Sequence, residues 1–255
     1  MRTKDKYLWI VNKQNLFDEK MLAQFEFVPI RDSDGKTMLE KEAAKALDGL
    51  QNLLLEKKGI STTITSGYRD LPTQQKVMDE LAKEMSEEEL LKTVALPGTS
   101  EHHTGLAVDI KPHFAHKPFI EKLIKKFHIP ERIAYPKQPD RETKKQMYAA
   151  IHEELEQFGF ILRYTAEKSH ITGFKAEPWH IRYVGVENAK AINASGLCLE
   201  EYVEQLEKQA QEESQPKTSP EEPKAEEISQ VVIVHPVVNK VFEEHAMKSE
   251  EERVQ

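Results

Sequence analysis

The sequence predicts an α+β domain with a mainly antiparallel sheet flanked by helices. Helical patterns come first and strands later, and several strands stand too close together for helical crossovers between them. Residues 38–58 place apolar side chains at Leu39, Ala43, Ala46, Leu47, Leu50, Leu53 and Leu54. That is helical spacing, closed by Gly59 as a C-terminal cap. The β-branched run STTITS at 61–66 alternates and ends at Gly67, so it reads as a strand. Polar helices are expected at 72–85 and 87–94, the second opened by Ser86 with Glu89 three residues on. GLAVDI at 105–110 reads as a short buried strand. Segments 117–127 and 140–157 carry helical patterns, the latter capped by Asp140. FGFILRY at 158–164 and HIRYV at 180–184 read as strands, and short helices at 187–194 and 199–206 close the folded part.

The chain's 255 residues leave room for one good-sized domain or two small ones. Its 36 Lys plus Arg against 44 Asp plus Glu give a net charge of −8, which argues against nucleic acid or an anionic membrane as the main partner. The charge is uneven, because residues 207–255 hold 12 acidic and 6 basic side chains. Low hydrophobicity, dense charge and spaced prolines cannot offset the entropy of ordering. Residues 207–255 are therefore expected to form a largely disordered acidic tail, with 207–228 as linker and one apolar island at 231–242, and residues 1–206 to form the folded domain. Cys198 is the single cysteine, which excludes an internal disulfide or a thiolate metal cage. No apolar run reaches the roughly 18 residues that a membrane span needs. The apolar stretch from Tyr7 to Val11 is too short for a signal-peptide core. As it stands the sequence reads as cytoplasmic; a start further upstream would allow the cell wall instead.

Of ten histidines, two sit where chemistry is expected. His102 lies seven residues before Asp109, an acid inside an apolar strand that is costly to bury unless paired or bound to a metal. His180 opens the strand HIRYV, three residues after Glu177. Zinc suits this set: three His and carboxylate ligands leave a fourth position for water, and a further carboxyl group can move the proton. The chemistry assigns His102, Asp109 and His180 to the metal and Glu177 to the base. Pro178 prevents a regular helix between Glu177 and His180. In the plainer alternative, Asp109 caps a turn and Glu177 pairs with Arg182. The neighbouring His103 points the other way along an extended segment and is expected in the second sphere or in solvent. Histidines 113, 116, 128, 152, 170, 235 and 245 have polar or loop contexts and are given no role.

The blocks SGYRDLPTQQ (66–75), PGTSEHHTGLAVDI (97–110), FGFILRY (158–164), ITGFKAEPWHIRYVG (171–185) and GLCLEEY (196–202) resemble the VanY type of D-alanyl-D-alanine carboxypeptidases. That group includes L,D-carboxypeptidases that trim peptidoglycan stem peptides. The resemblance spans about 60–203. It implies one zinc per chain on His102, Asp109 and His180, and Glu177 as general base. It also implies substrate-binding roles for Arg69, Gln74, Ser100, Tyr164 and Trp179. An arginine can grip a free carboxylate through paired hydrogen bonds or stabilise the oxyanion of the tetrahedral intermediate, and both roles stay open for Arg69. The expected protein is a monomeric zinc carboxypeptidase releasing a terminal D-amino acid from peptidoglycan stem peptides or their precursors, by D,D or L,D specificity. A wall-peptide-binding module and a zinc endopeptidase are the rival readings. A basic stretch, 8 basic against 4 acidic residues over 121–146, lengthens the segment between Asp109 and Glu177. A solvated helical insertion is the expectation there, with a lid or a contact to anionic wall polymer as alternatives.

Overall fold

The computed structural model describes residues 5–30 and 37–214. Packing divides the chain into Met1–Ala210 and Gln211–Gln255. Two 3-10 turns, Lys6–Leu8 and Glu19–Gln24, lead into strand β1 (Phe27–Pro29), which pairs antiparallel with β2 (Met38–Glu40). Helix α1 (Lys41–Leu53) therefore starts later than its periodicity suggested. Met38–Glu40 go to the strand pair, and the Glu40 carboxylate caps the helix by accepting from the backbone N–H of Glu42 and Ala43. The last turn widens over Leu54–Lys58 and stops at Gly59, whose φ of +65° is left-handed.

Strand β3 (Ile60–Ser66) is followed by α2 (Leu71–Leu81), capped by Asp70, and α3 (Glu87–Thr93), capped by Ser86. Strand β4 (Ala107–Phe114) runs beyond GLAVDI through Lys111, Pro112 and His113. Pro112 is tolerated because β6 pairs only with Ala107–Asp109, so beyond Asp109 only β3 lies alongside. The basic insertion forms α4 (Pro118–Phe127), α5 (Glu131–Ala134) and α6 (Arg141–His152), the last capped by Asp140. Strand β5 (Phe160–Leu162), α7 (Ser169–Thr172), β6 (His180–Tyr183), α8 (Val186–Ser195) and α9 (Leu199–Ser214) complete the order. Helix α9 continues through 207–214, where a disordered linker was expected. Glu, Lys, Gln and Ala are strong helix formers, and Glu204 pairs with Lys208 one turn on. The remainder of the expected tail, with its apolar island, lies outside the described residues.

The main sheet has the order β3-β4-β6-β5 and is antiparallel throughout. The α+β architecture is therefore the one the sequence predicted. One face carries Ile60, Ile64, Val108, Ile110, Phe160 and Ile181, packed with Leu47, Leu50 and Leu54 of the α1 region and Ile151 of α6. Ile161 and Val184 pack with Leu8, Ile10, Ala189, Ile192, Leu199 and Val203, which buries α8 and α9. Side chains alternate along β4, so Val108 and Ile110 enter the core and Asp109, Lys111 and His113 share the opposite face. The functional residues gather on that face. No described helix is long and apolar enough to cross a membrane.

Candidate metal centre and active site

Strand register brings the first two site residues together. Asp109 of β4 lies directly opposite His180, the first residue of β6, so both side chains leave the sheet on the same face. His180 Nδ1 stands 3.1 Å from Asp109 Oδ1. His102 arrives from a 3-10 turn, Glu101–Thr104, whose N-cap Ser100 accepts from the His102 backbone N–H at 3.3 Å. Its Nε2 stands 3.3 Å from Asp109 Oδ2. The loop after β3 holds the ring in place: His102 Nδ1–H donates to Gly67 O at 2.7 Å, and Arg69 N–H donates to His102 O at 3.1 Å. Gly67 allows that fit, because a Cβ there would lie 2.6 Å from Met38 O and 2.5 Å from the Thr37 side chain.

One ligand atom from each of His102, Asp109 and His180 lies within 4.8 Å of the others, so the three could hold one metal ion. Three observations fit a cation in their midst. First, the Nδ1–H bond to Gly67 leaves the Nε2 lone pair of His102 facing Asp109, the tautomer a metal needs. Second, Asp109 Oδ1, the atom that faces His180 Nδ1, is buried without a hydrogen-bond partner. Third, the charge balance attracts positive charge. Burial pushes His102 down to about 4 despite Asp109, which keeps it neutral. Burial would also lower His180, but Asp109 and Glu101 outweigh it and raise it to about 9. The carboxylates that draw a proton to His180 would draw a dication to the same place.

Glu177 precedes β6, with Oε2 3.8 Å from His180 Nδ1. Burial pushes its carboxyl up to about 7; His180 opposes the rise and Asp109 adds to it. A carboxyl poised there can accept and return a proton near neutral pH. Its backbone is fixed on both sides: Glu177 N–H donates to Tyr164 O at 3.1 Å, and His152 Nε2–H donates to Pro178 O at 2.8 Å.

Arg69, Ser100, Tyr164 and Trp179 line a pocket of about 220 Å³ together with His102, Asp109, Glu177 and His180. Val77, Leu81, Val94, Ala95 and Phe174 form its apolar wall. Arg69 is half-buried; desolvation lowers its pKa against the attraction of Asp109 and Glu177, and its Nε has no partner. Asp70 makes no ion pair with it, because that carboxylate caps α2 on Thr73 N–H at 2.8 Å. Tyr164 packs its ring 4.8 Å from both His180 and Phe174. Trp179 is 41% exposed at the pocket mouth. Gln74 stands apart from this group. It is fully buried, donates to Ala95 O at 2.7 Å and leaves Oε1 unpartnered, behind the wall rather than in it.

The sequence reading gave no role to the buried charges behind the site. Glu101 is 1% exposed, with Oε1 2.9 Å from Arg163 Nε and 2.8 Å from Arg182 Nη1. Burial alone would raise its pKa, but the two guanidinium groups hold it well below the carboxylate range. Its Oε2 stands 3.8 Å behind His180 Nε2 and so orients the ring by charge. Arg163 continues to Glu200, and Arg182 donates to Tyr7 O and Trp9 O. Arg182 therefore serves Glu101, and the pairing with Glu177 considered above does not form. His103 is buried, donates to Arg69 O at 2.7 Å and accepts from Gly98 N–H at 3.0 Å, so its position is second-sphere and not solvent. The signal for Glu101 was its place between two site residues, Ser100 and His102.

The family model for VanY, D-alanyl-D-alanine carboxypeptidase, matches residues 36–186. A D-alanyl-D-alanine carboxypeptidase of Enterococcus faecalis is 38% identical over 154 residues, covering 57% of this chain and 48% of that protein. The chain thus spans about half that relative's length. A mutant of the vancomycin-resistance D,D-pentapeptidase VanY from the VanB-type cassette, solved with Zn(II), superposes with a TM-score of 0.57 at 33% identity, over 78% of this chain and 99% of that one. VanYB in complex with D-alanine-D-alanine gives a TM-score of 0.57 at 34% identity, over 78% and 97%. The chain belongs to the VanY family of D-alanyl-D-alanine carboxypeptidases.

Proposed function

We propose that this protein is a zinc-dependent carboxypeptidase that removes a terminal D-alanine from peptidoglycan stem peptides or their precursors. The observation that carries the reading is the convergence of His102, Asp109 and His180 beside Glu177, in a small pocket that holds Arg69. The catalytic unit is residues 1–206, with one zinc on those three ligands, acting as a monomer. Zinc bound there would polarise the scissile carbonyl and lower the pKa of water to about 7.

The chain's own groups do the rest. The pocket of about 220 Å³ suits one small residue with an apolar side chain, and Arg69 is its cation for the free C-terminal carboxylate. Its unpartnered Nε could instead face the oxyanion. Glu177 takes the proton from the attacking water and returns it to the leaving amine. Glu101 holds His180 from behind, and His152 fixes the loop that carries Glu177 and Trp179. A small pocket with a cation for a terminal carboxylate favours a carboxypeptidase over an endopeptidase, which needs a groove open at both ends. Mass spectrometry of tetra- and pentapeptide stems incubated with the protein, with and without chelator, tests the reading. Loss of one D-alanine, abolished by chelator and restored by zinc, is the expected result. Intact peptides, or internal cleavage, would contradict it.

A further inference from the structure

A second, larger cavity of about 830 Å³ adjoins that pocket and shares Asp109 and Trp179 with it. Under the function proposed above, on which this inference rests, the departing residue occupies the smaller pocket. The retained part of the peptide must then leave past Asp109 and Trp179, and the larger groove lies there. Its floor is apolar, from Ile110, Tyr148, Ala149 and Pro178. Its charged lining is basic: Lys111, Arg141, Lys144 and Lys145, with Asp109 as the one carboxylate. Arg141, Lys144 and Lys145 fall at i, i+3 and i+4 on α6, which puts them on one side of the helix.

The three side chains of α6 have no ion-pair partner among the described residues, whereas Lys111 is paired with Glu131. The acids nearest in sequence are turned to other work. Asp140 caps α6, and Glu142 accepts from Gln146. Three uncommitted cations beside an apolar floor make a surface matched to an extended peptide that carries a carboxylate. We propose that this groove is the subsite for the retained side of the substrate, and that Arg141, Lys144 and Lys145 select stems bearing a free carboxylate upstream of the scissile bond over stems in which it is amidated.

Binding tests this independently of turnover. The zinc-loaded full chain carrying Glu177→Gln, which keeps the peptides intact, is titrated with two N-terminally fluorescent pentapeptides ending in D-Ala-D-Ala. They differ only in a side carboxylate, free or amidated, upstream of the final pair. Fluorescence anisotropy is expected to show the free acid bound at least about tenfold more tightly. Adding Arg141→Ala, Lys144→Ala and Lys145→Ala should remove that preference and leave the amidated peptide's affinity unchanged. Equal affinity for the two peptides in the parent would overturn the proposal, as would equal weakening of both in the triple variant. Weakening of both with matching loss of a polyphosphate probe would assign the cations to a general polyanion contact. A carboxylate preference without any release of D-alanine by the unmutated protein would count against the catalytic reading and leave the subsite standing. Release of D-alanine with no carboxylate preference would do the reverse.

Discussion

Two buried polar clusters lie on the same face of the antiparallel β3–β4 pair, and they treat their polar atoms differently. At one end, Ser61, His113, Glu121 and Tyr135 satisfy one another. Glu121 accepts from Ser61 Oγ at 2.9 Å, from Tyr135 OH at 2.8 Å and from His116 N–H at 2.8 Å. His113 meets Thr63 Oγ1 at 2.8 Å and stacks on Tyr135. Its Nδ1 is the one atom of that cluster left over. At the other end, Asp109 Oδ1, His180 Nε2, Glu101 Oε2 and Arg69 Nε are all buried without partners. Both ends contain histidine, carboxylate and hydroxyl or aromatic neighbours, so composition does not separate them. Satisfaction does: one network is closed and ties the basic insertion to the sheet, and the other leaves polar atoms unpaired around the candidate site.

The contrast can be broken at its strongest point. Glu101→Gln leaves Arg163 and Arg182 buried with their shared carboxylate gone, and removing one partner of a buried pair costs about 3–5 kcal/mol. A urea midpoint unchanged from the parent would show that the site does not depend on this support. At the closed end, Tyr135→Phe removes a hydroxyl bonded to Ser61 and Glu121 and should cost about 1.5–3 kcal/mol while D-alanine release stays at the parent rate. Loss of activity without loss of stability would give that end a role in chemistry. The smallest effect concerns acid stability. Burial works against charge on Glu200, but Arg163 holds its carboxyl below the usual range. A depressed carboxylate pKa contributes stability above the unfolded value, about 4.3 for glutamate, and the contribution is lost as pH falls through the folded value. Glu200→Gln should therefore lower stability near neutrality and flatten its decline below about pH 4. A decline as steep as the parent's would remove Glu200 from the network.

Much of the fold was legible because periodicity reports burial directly. The strand at 61–66, the helix ended by Gly59 and the helix capped by Asp140 followed from local pattern. The β1–β2 pair was not legible, since three residues are too few to show alternation and Met38–Glu40 also fit the helical period of α1. The end of β4 was hidden by Pro112, which is acceptable only because β6 begins opposite Asp109 and does not reach Pro112. In the site, His102, Asp109, Glu177 and His180 could be picked out because an acid in an apolar strand and a histidine at a strand entry are anomalies in their own neighbourhoods. Glu101, Arg163 and Arg182 were not, because a buried charge is explained by a partner far away in sequence: 62 residues separate Glu101 from Arg163. Gln74 shows the opposite limit, since a residue within a recognisable block faces Ala95 and not the pocket.

The central claim is a division of labour, with three ligands holding zinc and Glu177 moving the proton. Zinc content and D-alanine release measured together on purified Glu177→Ala, His102→Ala and His180→Ala test it most directly. The account predicts one zinc per chain in Glu177→Ala with turnover reduced about 10²–10⁴-fold, and loss of stoichiometric zinc in both histidine variants. Release at the parent rate by Glu177→Ala, or full zinc occupancy in both His102→Ala and His180→Ala, would contradict it.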